Sequence, residues 1–113
     1  MSEDEVSQII YYKGFKNIQL ISGDVFDTLA KYLSDYPETR IALLHLDMDV
    51  KEPTEYALEL LYEKVVPNGL IVFDDYSTVA GESHAVDVFL KKYKLRIFKS
   101  KHYKVPSYVR KPL

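Results

Sequence analysis

The sequence has no cysteine and no tryptophan. Without cysteine there is no disulfide framework, no thiolate metal site and no cysteine nucleophile, and a reducing, cytoplasmic setting fits. Glycine is scarce, with four in 113 residues, and no Gly-x-Gly occurs. No apolar run approaches the ~18 residues of a membrane span, so no membrane partner is expected. The opening Met1-Ser2-Glu3-Asp4-Glu5 is acidic. That fits neither a signal peptide nor a transit peptide.

Acidic residues are missing from the last stretch. Residues 91–113 hold nine of the fifteen Lys and Arg and no Asp or Glu, leaving six basic residues against all seventeen acidic ones in residues 1–90. The basic residues are interleaved with strand-like ones instead of lining a helix. This reads as a solubilised sheet edge, where Lys is common, and not as a nucleic-acid surface. Hydrophobic residues at 47% and charged residues at 28% are an ordinary globular mix, which predicts one folded domain over residues 1–113.

The hydrophobic periodicity predicts an alternating α/β chain. Val6, Ile9 and Ile10 lie at helical spacing over Glu3–Tyr12, after a Ser2/Glu5 capping box and before a stop at Gly14. Ile18–Ile21 reads as a short strand. Val25–Leu33 is an amphipathic helix. Ile41–Leu46 is nearly all apolar, as a central strand buried on both faces would be. Pro53 suits the first turn of a helix running to about Lys64. Pro67-Asn68-Gly69 reads as a turn and Leu70–Phe73 as a second buried strand. Glu82–Tyr93 is a helix with Ala85, Val86, Phe89 and Leu90 as its core stripe. Leu95–Phe98 and Tyr108–Arg110 form a closing hairpin. Tyr11, Tyr12, Tyr56 and Tyr62 are expected to cover helix–sheet seams.

Ligands of such sheets sit at the carboxyl ends of the strands. There the sequence places Asp47 and Asp49 after one buried strand, and Asp74 and Asp75 after the next. Neighbouring strands lie about 4.8 Å apart, so four carboxylates converge. Like charges that close call for a cation or a raised pKa, and carboxylate oxygens suit hard Mg²⁺ or Ca²⁺. His45, between Leu44 and Leu46, is expected to be a satisfied interior residue. Gly23 permits a tight turn or close ligand approach. Asp24 can accept hydrogen bonds from a ligand or cap the following helix.

The run Leu44-His45-Leu46-Asp47-Met48-Asp49, then Glu52-Pro53-Thr54, Ala57-Leu58, Leu61-Tyr62, Val66-Pro67-Asn68-Gly69 and Ile71-Val72-Phe73-Asp74-Asp75-Tyr76, resembles the macrocin O-methyltransferase family. Gly23 with Asp27-Thr28-Leu29, and Gly81 with Ala85–Phe89, extend the resemblance over nearly the whole chain. That family belongs to the class I S-adenosylmethionine-dependent methyltransferases. The resemblance implies Mg²⁺ held by Asp47, Asp74 and Asp75. It also implies Asp49 as general base on a sugar or other small-molecule hydroxyl, and Gly23 and Asp24 facing the cofactor.

One departure is large. The family fold opens with a strand and a Gly-rich turn that cradles the cofactor, then a second strand; neither is present. The expected architecture is therefore a Rossmann-like methyltransferase fold lacking its first two strands, a mostly parallel sheet with a C-terminal antiparallel hairpin. The alternative function is a catalytically inactive remnant that folds and associates. A haloacid-dehalogenase-type nucleophile at Asp47 fits less well, because the next strand already ends in Asp74-Asp75. With Ile18–Ile21 closing up beside Ile41–Leu46, three crossover helices fall on one sheet face and only the helix at 3–12 on the other. One short helix cannot cover an apolar face, so a homodimer is expected.

Overall fold

The computed structural model describes residues 2–48, 50–74, 80–99 and 107–113, with the backbone alone for 80–82. The elements run α1 (Glu3–Lys13), α2 (Val25–Asp35), β1 (Ile41–Leu46), α3 (Lys51–Leu61), a 3₁₀ turn (Tyr62–Lys64), β2 (Val65–Phe73), α4 (Ala80–Tyr93), β3 (Phe98–Lys99) and β4 (Ser107–Arg110).

The helix ends follow local chemistry. Ser2 Oγ accepts from the Glu5 amide at 3.2 Å, and Gly14 closes α1 in the left-handed conformation at φ 74°. Asp24 caps α2, its carboxylate accepting the Phe26 amide at 2.9 Å. In α3, Thr54, Ala57, Leu58 and Leu61 recur every three or four residues and are its buried face. The buried Thr54 hydroxyl donates to the Val50 carbonyl at 2.7 Å, so its burial leaves no orphan.

The sheet order is β1-β2-β4-β3. β1 pairs parallel with β2 through the α3 crossover, and β4 pairs antiparallel with both β2 and β3. The Rossmann-like arrangement and the closing hairpin are as expected, and the parallel part of the sheet is this one pair. Val65, Ile71 and Phe73 of β2, Leu46 of β1 and Val109 of β4 form one core with α3 and with Val86 and Phe89 of α4. Leu29 and Leu33 of α2 pack at its margin. Phe26 and Tyr56 bring α2 onto α3, with ring centroids 4.9 Å apart and the Tyr56 hydroxyl donating to the Phe26 carbonyl at 3.1 Å. All three later helices thus lie on one face; for α3 and α4, which connect strands of the sheet, same-handed crossovers require it, whereas α2 is placed by its packing on α3.

Among the described residues no helix covers the other face. Side chains alternate along strands, so Leu43, Leu70, Val72 and Tyr108 point away from the helices, and Leu43 is 59% exposed.

Four expectations are corrected. Ile18–Ile21 forms no strand and does not join β1; Ile18 and Ile21 are about half exposed. Nothing among the described residues pairs with the free edge of β1. The helix α1 buries none of its residues, so it does not cover the open face. Tyr11 and Tyr12 are exposed accordingly, whereas Tyr56 and Tyr62 do fill seams. Finally, Pro67-Asn68-Gly69 is no separate turn but a bulge inside β2. Register passes from Ile41↔Val65 to Leu43↔Leu70, so Ala42 alone on β1 faces the four residues 66–69 of β2. Asn68 takes a left-handed φ of 69° there.

Candidate functional site

The α3 crossover places the carboxyl ends of β1 and β2 side by side. Leu46 pairs with Phe73, and the Asp74 amide donates to the Leu46 carbonyl at 3.0 Å. The residues following each strand, Asp47 and Asp74, are therefore next to one another at the sheet edge. Asp47 is exposed and Asp74 half-buried. The two acidic segments are thus brought together as the strand order predicted. Asp49 and Asp75 lie outside the described residues. Among the described residues no three His, Asp or Glu side chains gather closely enough to hold a metal ion.

His45 departs from expectation. It is not interior: its side chain is 51% exposed, and its Nε2 lies 3.2 Å from Oδ1 of Asp74. The register explains the pair. His45 is opposite Val72, so Asp74 is its diagonal neighbour on the same sheet face. Flanking leucines hid this, because Leu44 and Leu46 point to the helices while His45 points to the open face. The strand period of two was the available signal, once β1 is known to be an edge strand.

Gly23 and Asp24 sit before α2. Gly23 has φ +132°, a region that L side chains rarely adopt, and an added Cβ would lie 2.8 Å from Cγ2 of Thr28. The glycine is required by the turn itself. Asp24 Oδ1 is committed to the helix cap.

A third constellation holds the opposite side of the core. The Lys111 ammonium donates to the carbonyls of Tyr62 (3.0 Å) and Val65 (2.8 Å) and lies 4.7 Å above the Tyr62 ring. It ties the C-terminal end of the sheet to the joint between the 3₁₀ turn and β2, where the Tyr62 carbonyl also accepts the Val65 amide. Tyr62 in turn meets Phe89 and Tyr93, and burial pushes its phenol pKa up.

The family model of macrocin-O-methyltransferase (TylF) matches residues 2–102. The chain belongs to this family. Among solved structures, the apo form of CalS11, described as a TDP-rhamnose 3'-O-methyltransferase of calicheamicin biosynthesis, is 31% identical with a TM-score of 0.73. That match covers 80% of this chain and 40% of the CalS11 chain. The O-methyltransferase NovP is 25% identical over 100% of this chain and 46% of its own, with a TM-score of 0.84. This macrocin-O-methyltransferase family chain thus spans less than half the length of either. No curated protein sequence matches it. Among the described residues no helix is long and apolar enough to cross a membrane.

Proposed function

We propose that this chain carries the metal-and-base half of a Mg²⁺-dependent, S-adenosylmethionine-dependent O-methyltransferase acting on a hydroxyl of a sugar or other small molecule. The observation that supports it is the adjacency of Asp47 and Asp74 at the carboxyl ends of β1 and β2 in a chain of this family. The donor chemistry fits. Two carboxylates at adjacent strand ends, Asp47 exposed and Asp74 with a side chain 39% exposed, are hard oxygen ligands with room for the waters that Mg²⁺ retains. Asp47, Asp74 and Asp75 would hold the ion. A bound Mg²⁺ supplies the charge that makes a nearby hydroxyl more acidic. Asp49 then takes the proton of that hydroxyl onto its carboxylate.

The cofactor is a different matter. Gly23 is needed by its own turn, Asp24 is engaged in a cap, and no Gly-x-Gly turn exists in the sequence. Two residues so placed are too few to cradle S-adenosylmethionine by themselves. The chain accordingly supplies the acceptor side of the transfer, and residues 1–113 alone should show little or no methyl transfer, since proximity catalysis needs both reactants held. Calorimetric titration with S-adenosylmethionine, with and without Mg²⁺, combined with a methyl-transfer assay, tests this. Tight cofactor binding or robust turnover by residues 1–113 would contradict the division of labour.

A further inference from the structure

We infer that His45 is a positioning residue for Asp74, holding its carboxylate by an Nε2–H···Oδ1 hydrogen bond so that the other oxygen is left for the ligand of the site. The inference rests on the metal reading above but has its own geometric footing. His45 and Asp74 occupy diagonal positions across the β1–β2 pair, on the face turned away from α3 and α4. Their separation of 3.2 Å is at the long end of the hydrogen-bond range. Both side chains are substantially exposed, 51% and 39%, so burial does not force them together. Two groups that water could satisfy separately are instead paired across the strands.

The chemistry follows from what each group offers. An ionised carboxylate only accepts, with about four lone-pair sites on two oxygens. A single donor on Oδ1 restricts rotation about the Cβ–Cγ bond and leaves Oδ2 able to take a cation. The Asp74 backbone is already fixed by its amide bond to Leu46. With the main chain pinned on one side and Oδ1 on the other, the carboxylate has one preferred orientation at the end of β2. Outer partners of this kind orient metal-binding carboxylates, and losing one typically costs 10–100-fold in metal affinity.

The test uses residues 1–113 as wild type, His45→Ala, His45→Gln and Asp74→Asn. Ring ¹⁵N spectra of His45 at pH 8 read the pair directly. Nε2 should be the protonated nitrogen, and its resonance should move in Asp74→Asn. Mn²⁺ titration followed by electron paramagnetic resonance reads the positioning. His45→Ala should weaken Mn²⁺ binding roughly tenfold. His45→Gln, whose amide nitrogen reaches a similar place, should recover most of the loss, a rescue that general structural damage would not give. A His45 spectrum indifferent to Asp74→Asn overturns the inference, and so does Mn²⁺ affinity unchanged in His45→Ala. Absence of Mn²⁺ binding in the wild type itself would overturn the metal reading, while the ¹⁵N result would still decide whether the pair exists.

Discussion

A methyl group at Gly69 would lie 2.8 Å from Cγ1 of Val65, 2.9 Å from the Val66 carbonyl oxygen and 3.2 Å from that of Ala42. Two of these three neighbours are backbone oxygens, which cannot swing aside as a side-chain tip can. Gly69→Ala should therefore open the β2 bulge and cost about 1–3 kcal/mol of stability, as overpacking does. Chemical denaturation of the two proteins measures it; an unchanged midpoint would show that the bulge yields freely. The residue scale also shows what the sequence concealed. Pro67-Asn68-Gly69 has the composition of a turn, and Asn68 does take a left-handed φ. Composition alone cannot tell a turn from a bulge, because both need the same residue types. His45 eludes a sequence reading for a related reason: a local run of leucines says that a strand is buried, not on how many faces.

At the scale of elements, the joint between α3, β2 and α4 turns on Tyr62. It packs against Phe89 and Tyr93 and lies beneath the Lys111 ammonium. Burial raises the phenol pKa, so the folded state favours the neutral ring. Stability from this group is complete below about pH 10, the ordinary tyrosine value, and is lost as pH climbs through the raised folded value. Tyr62→Phe should remove part of that alkaline loss. Urea midpoints at about pH 9 and about pH 11 check it. The wild type should fall further than the variant between the two, and parallel falls would assign the loss elsewhere. The helices are legible because amphipathic periodicity and caps are local signals: α3 shows its buried face at helical spacing, and Ser2, Gly14 and Asp24 do at the ends of α1 and α2 what their side chains and backbones dictate. The Ile18–Ile21 strand was not. A strand needs a partner, and apolar character over four residues does not say that one exists. Residues 18–21 and the edge of β1 remain unpaired to each other.

On the whole molecule, the helices cover one sheet face and leave Leu43, Leu70, Val72 and Tyr108 on the other, with Phe98 stacked on Tyr108 at 5.6 Å. Among the described residues the outer edge of β1 is also unpaired, and exposed apolar side chains beside an unpaired edge favour association. Self-association through this face is the expected outcome, and the opposed charge of residues 1–90 and 91–113 favours an arrangement that sets one against the other. Light scattering on residues 1–113 at micromolar concentration should give about twice 13.1 kDa, and a clean 13.1 kDa particle would contradict it.

In the proposed function the ends of β1 and β2 make one metal-binding edge from residues far apart in the chain. Thermal melting of the wild type and of Asp74→Asn, each with and without millimolar Mg²⁺, tests it most directly. Binding to the folded state alone raises the melting temperature. A Mg²⁺-dependent rise is expected in the wild type and is expected to disappear in Asp74→Asn. Equal behaviour of the two proteins, whether both respond to Mg²⁺ or neither does, would contradict it.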